Sequence, residues 1–354
     1  MARQKFRAAP VPTRSRNAAS AVRETTCRNG AAVETETGRK ERAGELSVIH
    51  MPKTLHGVLP IVHTPFTDDD QIDRTALRRE IDWAYEIGAD GMGTGMVSEI
   101  LRLTTDERRQ LIELIVEYSR GRGAVFAAVG AESGKQALAY AQHAERAGCD
   151  AVMAAPPLTT SLSVQSHLDY YREIADGVQI PVIVQDASGY VGNAIPLDVY
   201  LQLLDRYGNE KIVFKPEASP IGPNLSALRD ASNGRAQIFE GSGGFLLIDS
   251  YRRGIRGTMP GMDLLDGIVG IWNALQQHDD DLAYSIWWPV SGIVTLQLQA
   301  GLDGFLAIEK YLLVKRGLFA SDRRRSPYRW SMDPETAQEV NRLYQRLQQA
   351  LTRG

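Results

Sequence analysis

The chain reads as an α/β protein, a closed (β/α)8 TIM barrel followed by a C-terminal helical extension. Three observations predict this. From about residue 56, short apolar runs alternate with segments of helical periodicity. Eight such runs occur, each repeating unit spanning roughly 20 to 30 residues. Most of the helical segments end in glycine, the expected left-handed stop. Strand and helix alternating at this spacing imply a parallel sheet. Eight strands favour closure over an open doubly wound sheet, and such barrels of about 250 residues fold as one domain.

The strand runs, in order, are "GVLPIVHT" (57–64), "GMGTG" (91–95), "AVFAAVG" (124–130) and "DAVMAAP" (150–156). "PVIVQD" (181–186), "KIVFK" (211–215), "QIFEG" (237–241) and "RGTMP" (256–260) complete the set. Each is short, apolar and bounded by turn residues, as a buried parallel strand requires. Between them lie "RTALRREIDWAYEIG", "TTDERRQLIELIVEYSRG", "GKQALAYAQHAERAG", "SHLDYYREIADG", "PLDVYLQLLDRYG", "NLSALRDASNG" and "GGFLLIDSYRRG". "TTDE" has the form of a helix start, with a threonine cap and acid in the first turn. "LLDGIVGIWNALQQ" (264–277) completes a barrel over residues 51–278. Three more helical segments, 281–299, 304–317 and 333–351, form an extension over 279–354. Their apolar faces would serve equally to cap the barrel or to hold a subunit interface.

Residues 1–50 have little apolar periodicity and are expected to be disordered. They contain no apolar core of a secretory signal. The first 23 residues are arginine-rich and lack acid, a weak likeness to a transit peptide. The favoured reading is a start at Met51, where ordered patterning begins.

Apolar content of 43% and charged content of 23% are ordinary for a globular protein. A net charge of −3 gives no reason to expect nucleic acid or an anionic membrane as partner. No apolar run reaches membrane-spanning length. The two cysteines, Cys27 and Cys149, lie far apart, so a disulfide framework is not expected and a reducing, cytoplasmic compartment fits. The six histidines form no metal-ligand spacing, and no metal or other cofactor is expected.

The sixth strand carries the candidate chemistry. In "EKIVFKPEASP" (210–220), Lys215 follows a buried apolar run directly. Catalytic groups of parallel barrels sit at the carboxyl ends of the strands. One reading is a rim lysine whose stem packs while its amine reaches water. The other is a Schiff-base lysine, since an amine in an apolar mouth favours its neutral, nucleophilic form. Residues two apart share a face of a strand, so Lys215 and Glu217 point the same way. A carboxylate there suits proton transfer beside an imine, or else a rim salt bridge.

Over about residues 56 to 320 the chain resembles the dihydrodipicolinate synthase / N-acetylneuraminate lyase superfamily of Schiff-base barrels. The likeness rests on "GVLPIVHTPFTDDDQID", "GADGMGTGMVSEILRLTTDER", "AERAGCDAVMAAPP" and "IVFKPEAS", in family order. It implies that Lys215 forms the imine. It implies that the loop Gly95–Glu99 receives the substrate carboxylate, through the amides of Met96 and Val97 with Ser98 supplying a hydroxyl. It also implies a homotetramer. The chain departs from the pattern at "APPLTT", where Leu158 occupies the position of the family's proton-transferring tyrosine. Glu217, Tyr190 and Asp186 are candidates to replace it, and Asp186 also to bind substrate. Tyr190 reads equally as a loop aromatic lining the mouth.

"VIVQDAS" and the Lys-x-Glu spacing are similar to the 2-keto-3-deoxy-arabonate dehydratase branch. That likeness implies a lyase acting on a small-molecule 2-keto acid, a dehydratase or aldolase of a 2-keto-3-deoxy sugar acid. A synthase condensing pyruvate with an aldehyde is the second reading. "TTSLSV" lacks the arginine that holds the synthase's second substrate. A non-catalytic barrel that binds a keto acid is the third.

Overall fold

The computed structural model describes residues 52–189 and 191–352. The segment expected to be disordered lies outside the described residues, and so does Tyr190.

The eight strands are β1 Gly57–Val58, β2 Gly91–Gly93, β3 Ala124–Ala128, β4 Ala151–Ala154, β5 Val182–Asp186, β6 Ile212–Pro216, β7 Phe239–Glu240 and β8 Gly257–Thr258. They alternate with α1 Arg74–Ile87, α2 Thr105–Ser119, α3 Gly134–Ala147, α4 Val164–Gly177, α5 Leu197–Tyr207, α6 Ile221–Ala231, α7 Leu247–Arg252 and α8 Leu265–Gln276. Three helices follow: α9 Asp280–Leu298, α10 Leu302–Lys315 and α11 Pro334–Leu351.

All strand pairs are parallel, in two ladders ordered β1-β8-β7 and β2-β3-β4-β5-β6. The bridges Ile61↔Gly93 and Phe214↔Ile238 join the ladders on both sides and close the barrel. β1, β7 and β8 are shorter than their apolar runs suggest. β1 meets Pro60, which has no N–H to give the ladder, yet the extended chain still pairs beyond it through Ile61 N to Pro260 O, 2.7 Å.

Period two divides the strand residues between two cores. Leu59, Ile61, Phe126, Met153, Ile183, Val213, Phe239 and Met259 fill the barrel interior. Val152, Val182, Val184, Ile212 and Phe214 face the helices. Packing inside is tight enough to dictate glycine. A Cβ on Gly93 would sit 2.4 Å from the Phe126 ring. Removing that ring as Phe126→Ala would cost about 3–5 kcal/mol.

The helix ends follow local chemistry. Thr104 caps α2, and its own amide donates to Glu107 Oε2 at 2.8 Å, a reciprocal capping box. Gly88 and Gly148 adopt the left-handed conformation after α1 and α3. Elsewhere among α1–α7 the glycine stop is not met in that form: Arg120 takes that conformation after α2, α4 runs through Gly177, Gly208 after α5 has positive φ without the left-handed ψ, and Ser232 and Arg253 cap α6 and α7. Ile268, Ile286, Val290, Ile308 and Leu312 belong to the same apolar layer, so the C-terminal helices pack on the barrel. No described helix is long and apolar enough to cross a membrane.

Candidate active site at the barrel mouth

Lys215 projects inward by strand parity, in step with Val213 of the barrel interior. It is only 3% exposed and Glu217 only 2%. The Lys215 Nζ lies 3.4 Å from Glu217 Oε2. Gln185, directly opposite Lys215 in the β5–β6 register, donates from Nε2 to the same Glu217 oxygen at 2.8 Å. The carboxylate is thus held in place from the neighbouring strand. Gly241, at the end of β7, closes over this group. A Cβ there would lie 2.2 Å from Glu217 Oε1 and 2.3 Å from Lys215 Cε.

Lys215, Glu217 and Gln185 line a small chamber of about 50 Å³ with Ile61, Met96, Val97, Gly241, Met259, Leu302, Phe305 and Glu309. Two larger clefts share its walls. One of about 370 Å³ shares Met96 and Gln185 and runs to Leu158 and Glu132. The other, about 410 Å³, shares Glu217, Gly241 and Phe305. Leu158 is fixed by its amide, which donates to Glu132 Oε1 at 2.9 Å.

Met96 and Val97 open a single 3-10 turn, Met96–Ser98, after the extended Gly95. The first amides of any helix lack an intrahelical acceptor. Both residues stand in the wall of the Lys215 chamber. Such a turn is suited to an anion.

Two expected site residues sit elsewhere. Ser98 is fully buried; its hydroxyl donates to Val62 O and accepts from Gly95 N at 3.1 Å. It shapes the turn rather than lining the chamber, and its one proton is committed to a carbonyl. Asp186 has the outward parity of Val182 and Val184. Its carboxylate accepts from Ile195 N at 2.7 Å, Ser188 N at 2.9 Å and the Tyr200 hydroxyl at 3.4 Å. It organises the β5–α5 loop, which corrects the expectation that it contacts substrate. Tyr190 belongs to the same loop but lies outside the described residues.

Three groups at the mouth escaped sequence reasoning. Gln185 was readable in principle, because its neighbour Ile183 fits an inward alternation. His63 and Glu309 were not, being 246 residues apart. His63, at the end of the β1 run, is fully buried between two carboxylates. Its Nε2 lies 3.0 Å from Glu309 Oε2 and its Nδ1 3.2 Å from Glu80 Oε1. Burial opposes a charge on this imidazole, but Glu309 and Glu80 outweigh it and push its pKa up to about 10. Burial raises the Glu80 carboxyl above the usual range, against the pull of His63. Asp263 stands beside this cluster with Oδ2 held by Gln297 Nε2 at 2.8 Å. Burial, and then the Glu309 charge, push it up to about 7.

Comparison with known proteins gives the lineage. Residues 54–244, more than half of the chain, match the model of the dihydrodipicolinate synthetase family. The L-2-keto-3-deoxyarabonate dehydratase of Azospirillum brasilense is 29% identical over 299 residues, 82% of this chain and 94% of that protein. The 4-hydroxy-tetrahydrodipicolinate synthase of Methanothermobacter thermautotrophicus is 30% identical over 176 residues, 49% of this chain and 61% of that protein. Among solved structures, the 4-hydroxy-tetrahydrodipicolinate synthase of Methylacidiphilum fumariolicum SolV superposes with a TM-score of 0.76 at 21% identity, covering 85% of this chain and 98% of that one. That likeness speaks for the barrel and its C-terminal helices. The matched region shows that the chain belongs to the dihydrodipicolinate synthetase family, a family of lyases.

Proposed function

We propose that the protein is a Schiff-base lyase that dehydrates a 2-keto-3-deoxy sugar acid. The observation that carries this reading is the buried pair of Lys215 and Glu217, 3.4 Å apart, with Gln185 fixing the carboxylate. The extent of the match to the keto-deoxyarabonate dehydratase supports the substrate class.

The substrate carboxylate docks on the amides of Met96 and Val97. The Lys215 amine adds to the keto carbon and water leaves, giving an iminium. Glu217 removes a proton from the adjacent carbon, and the iminium accepts the electron pair as an enamine. The enamine then expels the hydroxyl on the next carbon, which takes up a proton and departs as water. Hydrolysis of the imine frees Lys215.

Condensation of pyruvate with an aldehyde is less well supported, because Leu158 cannot exchange a proton and residues 159–164 contain no arginine. The dehydratase reading carries with it a cytoplasmic homotetramer, whose assembly light scattering measures. Borohydride trapping tests the chemistry. With a 2-keto-3-deoxy acid present, reduction should fix covalent mass on Lys215. If neither pyruvate nor any 2-keto-3-deoxy acid leaves an adduct, the lyase reading gives way to a keto-acid-binding barrel.

A further inference from the structure

The Met96–Val97 turn, Lys215 and Glu217 account for the carboxylate, the keto group and the adjacent carbon of a 2-keto acid. A sugar acid also carries hydroxyls, and a buried chamber that takes them in must offer hydrogen-bond partners.

The extension α10 brings another carboxyl to the chamber. Leu302, Phe305 and Glu309 lie on one face of this helix and all stand in the chamber wall. Glu309 is only 3% exposed. His63 Nε2 contacts its Oε2 at 3.0 Å, and Glu80 braces the other side of the imidazole. Paired with that imidazolium, Glu309 is a carboxylate, and its charge acts on Asp263 as well. A carboxylate accepts hydrogen bonds and donates none. Its Oε1 accepts no hydrogen bond among the described residues and faces Gly261. A Cβ at Gly261 would lie 2.7 Å from that oxygen, so the missing side chain leaves it room. Gly261 lines the same chamber as Lys215. The nearby cations are committed elsewhere, Lys310 to Glu99 and Arg316 to Asp266.

From this geometry we propose that the Glu309 carboxylate selects the substrate: its Oε1 accepts a hydrogen bond from the sugar-acid hydroxyl that lies one carbon beyond the departing one. The inference rests on the Schiff-base reading above. Charge decides which group Glu309 takes. The keto acid's own carboxylate is repelled by it and docks on the Met96–Val97 amides. The departing hydroxyl must gain a proton to leave as water, and a carboxylate acceptor would draw its hydrogen the other way. The next hydroxyl keeps its bond to carbon throughout. A fixed acceptor therefore holds it equally before and during elimination, which serves binding and not the chemical step. Discrimination comes from loss, because an analogue without that hydroxyl leaves a buried carboxylate oxygen with no donor.

The test uses the full chain and a set of keto acids. One is a 2-keto-3-deoxy pentonic acid, in which the selected hydroxyl is the terminal one. The others carry hydrogen or fluorine in its place, and neither of these can donate. The readout is the concentration of each acid that half-saturates the borohydride adduct on Lys215. Wild type should need about 10- to 100-fold less of the hydroxy acid than of either analogue. In Glu309→Met, which keeps the length and removes the acceptor, that ratio should fall to within about threefold of unity. Each ratio is taken within one protein, so the fraction of active sites cancels. Glu309→Gln keeps an uncharged acceptor and should lower the ratio at least threefold, which serves if the methionine variant does not fold. A ratio unchanged in a folded variant overturns the assignment. So does a wild type that takes the fluoro or the hydrogen analogue as readily as the hydroxy acid. Absence of any adduct in the wild type, with pyruvate as well, instead overturns the Schiff-base reading, and this proposal with it.

Discussion

The Glu217 carboxylate stands 3.4 Å from the Lys215 amine and is fixed from the opposite strand by Gln185. An oriented carboxylate two residues from the amine is placed for the carbon next to an imine, not for the imine nitrogen alone. Glu217→Gln should therefore leave borohydride trapping on Lys215 intact. Turnover and exchange at the third carbon should both fall by about 10²- to 10⁴-fold. Lys215→Met should abolish the adduct altogether. Unchanged turnover in Glu217→Gln would move the base role elsewhere.

Gly241 is needed for space. A methyl group there would overlap both Glu217 Oε1 and Lys215 Cε, at 2.2 and 2.3 Å. The lysine stem and the carboxylate would have to turn away from each other. Gly241→Ala should lose imine formation more severely than it loses stability. Trapping yield and the thermal midpoint, measured on the same sample, separate the two. A variant with normal trapping would mean that the pair shifts freely.

Period two made the Lys215–Glu217 pair legible from sequence, and alternation made the barrel legible. Both are local rules. The candidacy of Asp186 came from the resemblance and not from this rule, which tells which residues share a face but not which face looks inward. Only the cross-strand register, Gln185 opposite Lys215, settles that. Ser98 was misread for a different reason. A hydroxyl in a binding loop is equally useful to the loop's own backbone, and here Val62 and Gly95 claim it. His63 and Glu309 meet only after the chain has closed the barrel and returned through α10. The one hint in sequence was the Glu309–Lys310 pair inside the otherwise apolar run 305–314. Both of those charges are buried in the fold, Glu309 against His63 and Lys310 against Glu99.

Asp186 is expected to matter for stability rather than for binding. Asp186→Ala would leave the buried amide of Ile195 and the part-buried amide of Ser188 without their acceptor. Unsatisfied buried donors cost about 1–3 kcal/mol each. Urea unfolding should show that loss, while the adduct of the purified, folded variant with pyruvate should form at the wild-type level. A trapping defect without a stability defect would return Asp186 to the substrate site.

His63 makes the stability of the mouth depend on pH in a defined direction. Its pKa rises from 6.5 to about 10 in the fold, because Glu309 and Glu80 overcome the effect of burial. The folded state therefore holds the proton more tightly than the unfolded chain. That stabilisation is complete below about pH 6.5 and is lost as pH rises through about 10. His63→Asn leaves two buried carboxylates without their cation, which costs about 3–5 kcal/mol near neutrality. The groups around it set the rest of the profile: Asp263, pushed up to about 7, and the Lys310 charge that acts on Glu80. Urea midpoints of wild type and His63→Asn should differ widely at pH 7 and converge above about pH 10, where the wild-type imidazole is neutral as well. A gap that stays constant across that range would mean that His63 holds the mouth by packing and not by charge.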